Sequence, residues 1–513
     1  MRGVERLALW LCVWQSCKNG SRGFPVVCSN LLGPMQRSRI PSIFSALVAI
    51  ACIHCGGEQT SSPQLVADTL TAAQAADGSF ISWREHVIDD LATGGVAIAG
   101  SDGLEMADLD KDGYEDVVSV HESDTEYDGV ADGHIRLAFG SEDPDTWTLV
   151  TLAEGEEAGA AEDVSIADLN GDGFPDVIAS CEFAHLIYFQ NPGKDARTAR
   201  WERIIPSVAS DRGSYIRVFF ADFNADGRPE VVAPNKGSQS GPASDATARA
   251  ISWYEIAGDP LDDDSWKEHV LTKVAVPINS RPVDLDSDGD LDILAGSRAE
   301  ARIFWFENLG KPEIEFEEHS IEIAPPDGYG TPAMTGFMFA FLDLNEDSRL
   351  DVLLSEGRNN VVWLEQPESA GEPWPLHRIG SMRPDSSTGL TLADIDGDGD
   401  QDLYCGSYSR GPRDRDGEEV TVDDPLGRLA WFENPGEGTG EWTRHDISRR
   451  KRGMFDMAVA RDLDGDGDMD FVGTRGNSLP YDGVYWLEQT RTEAPAASFV
   501  PARDTDSVEM PLP

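Results

Sequence analysis

From residue 83 onward, short apolar runs alternate with polar breaks, and the same four runs return in the same order. The first ends on an acid, as in VSIAD and MAVARD, and the second begins on one, as in DVVSV, DVIAS and DILAG. The third reads IRLAFG, LIYFQN, ISWYE, IFWFEN, VVWLEQ, LAWFEN and VYWLEQ. The fourth follows W-x-x-H-x-I: WTLVTL, WERIIP, WKEHVL, FEEHSI, WPLHRI and WTRHDI. All are short, rich in β-branched and aromatic residues, and broken by Gly, Pro and Asp, which predicts strands. Four strands repeated seven times predict an all-β fold, a seven-bladed β-propeller of four-stranded blades. The last third strand, VYWLEQ, has no fourth strand after it, whereas WREHVI at residues 83–88 stands alone before the first blade. The N-terminal strand is therefore expected to complete the last blade and remove an open edge, giving one domain over 83–489.

Between the first and second runs lies the strongest repeat, ADLDKDGYEDVV at 107–118. It returns as ADLNGDGFPDVI, ADFNADGRPEVV, VDLDSDGDLDIL, LDLNEDSRLDVL, ADIDGDGDQDLY and RDLDGDGDMDFV. The frame is D-x-[DN]-x-D-G-x-x-[DE], and its copies start about 50 to 70 residues apart. The side-chain oxygens at positions one, three, five and nine are Asp108, Asp110, Asp112, Asp116; Asp168, Asn170, Asp172, Asp176; Asp222, Asn224, Asp226, Glu230; and Asp284, Asp286, Asp288, Asp292. The last three copies supply Asp343, Asn345, Asp347, Asp351; Asp394, Asp396, Asp398, Asp402; and Asp462, Asp464, Asp466, Asp470. Oxygens at alternate positions converge when a chain curls, and Ca²⁺ takes six to eight of them, with less demand on geometry than Mg²⁺. Up to seven Ca²⁺ ions are expected, with position seven giving only its carbonyl and the glycine at position six allowing the sharp turn. In the fifth copy Ser348 replaces that glycine, which predicts the weakest site. An EF-hand is excluded: it needs a glutamate at position twelve and flanking helices. Position twelve here is Ser119, Ala179, Ala233, Ala295, Leu354, Cys405 and Gly473, and the flanks are strand-like.

The net charge is −52, and the four donor positions of the seven copies carry 25 acidic side chains. Filling every turn would leave the surface acidic, which argues against nucleic acid or anionic lipid as a partner. The first 52 residues differ in kind. They hold two apolar runs, the second in MQRSRIPSIFSALVAIAC from Met35, and this region is expected to be an export signal with Met35 as an alternative start. Val48–Cys52 resembles a lipobox, so lipid anchoring at Cys52 and free secretion both stay open, and the protein is placed outside the cell or in its envelope. Five of the seven cysteines lie in this region, while Cys181 and Cys405 are expected as buried small hydrophobes. Polar residues 53–82 read as a flexible linker and 490–513 as a disordered tail.

His86, His269, His319, His377 and His445 share one slot of the fourth run, each in its own blade, so they are expected to pack rather than share a metal. The tryptophan three residues earlier faces the other side of the strand and is expected between blades. These repeats resemble the FG-GAP/VCBS family, whose calcium-binding blades also form integrin α-chain propellers. The resemblance implies calcium in the turn between the first and second strands of each blade, held by the residues named above. Phe139-Gly140 is the clearest FG dipeptide. No G-x-S-x-G, phosphate loop, H-E-x-x-H or paired C-x-x-C is present. The chain reads as a monomeric binding, adhesion or scaffold module for a protein or carbohydrate. The alternative is a calcium-dependent glycosidase or polysaccharide lyase. Connections opposite the calcium turns (121–133, 235–250, 323–336 and 407–427) are long and varied, which suits a ligand face. They offer Tyr127, Tyr329 and Tyr408 for stacking on sugars. The basic run Arg449-Arg450-Lys451-Arg452 is expected on that face as a seat for an anionic polysaccharide.

Overall fold

Seven antiparallel sheets follow one another around a ring, six holding the four runs in sequence order and the seventh taking its fourth strand from the N-terminal end. The computed structural model describes residues 63–123, 130–238, 247–310, 312–369, 371–410, 414–436, 440 and 442–513. The expected export signal, the lipobox at Cys52 and Tyr127 lie outside these residues. In blade one the strands are Ser101–Ala107, Asp116–His121, His134–Phe139 and Thr148–Glu154. Blade two repeats the plan with Ala161–Ala167, Asp176–Cys181, His185–Gln190 and Glu202–Ile204. Blade five carries an additional outer strand, Ile323–Ala324, parallel to the start of Trp374–Ser381.

The first strand of every blade is innermost. Leu104, Val164, Phe219, Asn279, Phe341, Leu392 and Val459, one from each blade, line a central cavity of about 310 Å³. Second strands sit between neighbouring blades on both faces, which is why runs such as DVVSVH and DVIASC are buried throughout. The hydrophobic core consequently lies between blades. Seven apolar clusters form, one at each blade-to-blade seam. Fourth-strand tryptophans fill them as expected: Trp201 between blades one and two, Trp374 between four and five, Trp442 between five and six. Cys181 and Cys405 are buried free thiols in two of these seams.

Ring closure follows the expectation. Phe80–Asp90 pairs antiparallel with Gly483–Thr492 over the whole of its length, from Phe80 opposite Thr492 to Asp90 opposite Gly483. What the chain pattern missed is a further layer. Phe499–Val500 adds in parallel to Trp83–Arg84, making the last sheet five-stranded. Residues 493–513 are thus no disordered tail, and the described part of the expected linker, 63–79, is not free either. Thr71 N–H donates to the Ala496 carbonyl at 2.8 Å and Ser498 N–H to that of Thr69 at 2.8 Å. Val66, Ala67, Ala73, Ala75 and Phe499 are buried. Each segment alone lacks a strand pattern; together they satisfy one another's backbone groups over the outer edge of the closing strand.

The five histidines pack as read from their slot. Each imidazole stacks on the third-strand tryptophan beside it, as His269 does on Trp253 with 4.0 Å between centroids and 4° between planes. The same pairing joins His86 to Trp486, His319 to Trp305, His377 to Trp363 and His445 to Trp431. Each Nε2 also meets a third-strand glutamate, Glu488, Glu255, Glu307, Glu365 and Glu433 in turn.

Candidate metal centres

All first strands run the same way, so the seven acidic turns emerge on one face of the ring. Position nine opens the second strand in every blade, from Asp116 to Asp470. Its carboxylate is buried and closes the turn: Asp116 Oδ2 accepts from Leu109 N–H at 2.8 Å and Oδ1 from Gly140 N–H at 2.9 Å. Asp176, Asp292, Asp351, Asp402 and Asp470 hold the same two contacts, tying each turn to the end of the third strand. Burial pushes these acids up, Asp292 and Asp470 to about 7 and Asp402 to about 8.

Position one accepts the position-six N–H, as in Asp108 with Gly113 at 3.0 Å. Position five accepts the position-seven N–H, as in Asp112 with Tyr114 at 3.0 Å. Two residues per turn are left-handed, where the sequence frame points to one. Besides position six, position four has positive φ: Lys111 61°, Ala225 53°, Ser287 62° and Glu346 58°, with glycine in the other three copies. Ser348 takes the expected strained conformation, φ 72°.

Carboxylate oxygens from positions one, three and nine converge to within 4.8 Å of one another in four turns. These groups are Asp108–Asp110–Asp116, Asp284–Asp286–Asp292, Asp394–Asp396–Asp402 and Asp462–Asp464–Asp470. Position five stands outside these groups. In the turns with asparagine at position three, its amide instead donates to position five, as Asn170 does to Asp172 at 3.0 Å. The donor set fits a hard cation on a specific ground: Asp110 Oδ1 and Asp284 Oδ1 are buried without a hydrogen-bond partner. Buried carboxylate oxygens left unpaired are costly, and an oxygen-seeking cation would satisfy them.

A family profile described as FG-GAP-like repeat matches residues 108–179, 168–233, 284–354 and 343–405. The chain is an FG-GAP-like repeat protein. Each matched FG-GAP-like repeat runs from position one of one turn to position twelve of the next, so the repeat straddles two blades. No curated protein matches the chain.

That straddling has a structural counterpart at the end of the third strand. The residue closing the third strand is an amide in most blades, visible in FQN, FEN and LEQ, and it reaches into the preceding blade's turn. Asn191 Nδ2 donates to the Leu109 carbonyl at 2.9 Å, Asn308 to Phe223 at 2.8 Å, Gln366 to Leu285 at 2.9 Å and Gln489 to Ile395 at 3.0 Å.

The opposite face departs from expectation. Arg449, Arg450 and Arg452 are 0%, 1% and 4% exposed, so they offer no seat to a polyanion. Arg449 grips Asp385 at 2.8 and 2.9 Å, and Arg450 holds Glu85 through two 3.0 Å hydrogen bonds. Arg452 meets Asp416 at 2.9 Å. A buried guanidinium requires carboxylates, and here they come from the closing strand, the tail and neighbouring connections. Tyr329 is also committed, its hydroxyl donating to Glu356 at 3.2 Å. Three buried glutamates do converge on this side, Glu122, Glu162 and Glu182. They stand where second strands end and a first strand begins, with Lys236 in ion contact with Glu182. Burial lowers the Lys236 ammonium to about 8. These residues lie outside the repeat frame, which is why the repeats did not flag them.

Proposed function

We propose that the protein is an exported calcium-binding module for binding or scaffolding, which takes a protein or carbohydrate partner on the face opposite its metal turns. The observation that carries the calcium reading is the pair of unpartnered buried oxygens, Asp110 Oδ1 and Asp284 Oδ1, aimed into convergent carboxylates. The turns are uniform and bound into the blades, which suits a structural ion. The far side supports the partner reading, because its connections vary in length and its charged residues break the sevenfold pattern. Metal-free turns gather carboxylates that repel one another, and a site at ten times its Kd adds about 1.4 kcal/mol of stability. Chelation with EGTA is expected to lower the melting temperature, with Ca²⁺ restoring it and Mg²⁺ doing so poorly. An unchanged melting curve would remove the calcium reading. For the partner, the calcium-loaded protein is passed over immobilised polysaccharides and surface proteins while released sugar is followed. Retention lost in Tyr408→Ser and kept in Lys111→Asn, on the metal-turn face, supports the far face; the reverse overturns it. Sugar release would move the reading to a polysaccharide-active enzyme.

A further inference from the structure

The first turn differs from the other six. Arg197, from the connection between the third and fourth strands of blade two, reaches across the seam into it. Its Nε donates to Asp110 Oδ2 and its Nη2 to Asp112 Oδ2. Its guanidinium carbon lies 5.1 Å from the Phe139 ring centroid. Among the described residues no other turn has a guanidinium bridging positions three and five. Arg349 in the fifth turn touches only position five of its own loop, and Arg491 reaches Asp468, at position seven of the last.

The segment bearing Arg197 is held at both ends. Asn191 donates to Leu109 of the same turn, and Trp201 is buried in the seam with its indole N–H donating to the Ala196 carbonyl at 3.0 Å. Meanwhile Asp110 Oδ1 remains unpartnered and directed at Asp108 and Asp116. A cation held there meets carboxylates whose charge a fixed arginine already offsets. The outer oxygen of Asp112 is taken, and its inner one is engaged by Tyr114 N–H.

We propose that Arg197 is an internal counter-cation of the first turn, competing with calcium for Asp110 and Asp112, lowering the affinity of this turn and making it a calcium-sensing site. The proposal rests on the calcium reading above. When calcium is abundant the ion displaces the guanidinium; when it is scarce the arginine returns and keeps the turn folded. Loading of this one turn is thereby coupled to the blade-two connection, while the remaining turns keep a structural role.

Tyr114, at position seven, gives a local probe, because a terbium ion in this turn would be sensitised by the adjacent phenol. The signal that disappears in Tyr114→Phe is assigned to the first turn and titrated with terbium in the full chain. Removing one positive charge at hydrogen-bonding distance from the ligands is expected to tighten this site about tenfold in Arg197→Gln. Arg197→Lys, which keeps the charge, is expected to stay within about threefold of the wild type. Arg197→Met preserves the stem over Phe139 and serves if the glutamine variant fails to fold. Unchanged or weaker binding in the neutral variants would overturn the proposal and make Arg197 a residue that orders the ligands. If Tyr114-dependent luminescence is absent from every variant while EGTA still lowers the melting temperature, the first turn binds no ion and the proposal fails alone. If melting is also indifferent to calcium, the calcium reading fails with it.

Discussion

The protein concentrates charge in two places and handles it in opposite ways. On one face, seven turns gather acids with few cations from the chain, and their outer rims are exposed. At the seam of blades six and seven, three arginines are buried and each is matched by an acid. Arg450 alone has Glu85, Glu509 at 3.1 Å and Asp506 at 3.5 Å around it. A run of like charge therefore carries no information about exposure by itself. What matters is whether the opposite charge comes from the solvent or from distant chain. The acids of the turns lie within one loop, which supplies few neutralising partners of its own, Arg349 beside Asp347 being an exception. The arginines take theirs from other parts of the chain, Arg450 from the ring-closing strand and Arg449 and Arg452 from neighbouring connections.

The largest expected effect comes from the buried seam. Arg450→Met leaves Glu85 and Glu509 without their main partner, and breaking one side of a buried pair costs about 3–5 kcal/mol. Denaturation with calcium present checks this, and a loss below about 1 kcal/mol would make the seam equivalent to a surface pair. The pH dependence sharpens the point. Burial works against the Glu85 carboxylate, but Arg450 and Arg475 outweigh it and hold it below its ordinary 4.5. A depressed acid stabilises the fold above that value and loses the contribution as the pH falls below it. The seam should thus fail in acid, and Glu85→Gln should lessen that dependence.

A middle effect tests whether the metal face relies on neighbouring blades. Asn308→Ala removes hydrogen bonds to the Phe223 and Leu291 carbonyls at 2.8 and 3.1 Å, leaving the first acceptor buried and the second part-buried. About 1–3 kcal/mol should be lost, with weaker calcium binding at the third turn by calorimetry. A loss of stability with every calcium affinity intact would confine the amide to packing.

The smallest effect lies within one turn. Ser348 at φ 72° carries a strain that glycine lacks. Ser348→Gly should add about 1 kcal/mol to calcium-loaded stability and tighten one site severalfold. Unchanged melting and calorimetry would show that the fifth turn's weakness has another cause.

Much of the architecture was legible because its signals are local and periodic. Alternating strands, the nine-residue frame of the turn repeated seven times and the unpaired fourth strand at residues 83–88 specify seven blades and their closure. Strand period alone separated the histidines from the seam tryptophans. Even the third-strand amide was visible as a recurring letter, although its partner in another blade was not. Arg449–Arg452 misled because an exposed basic run and a buried one look alike in a chain, and Arg450 finds Glu85 across 365 residues. The terminal segments misled for the same reason: 63–79 and 493–513 have no pattern until each supplies the other's partners. Arg197 and the Glu122–Glu162–Glu182 group occur once each, so no repeat marks them. Read alone, the chain specifies what recurs, because identical local physics acts seven times over. Pairings made once, between residues far apart, exist only after the ring has brought them together.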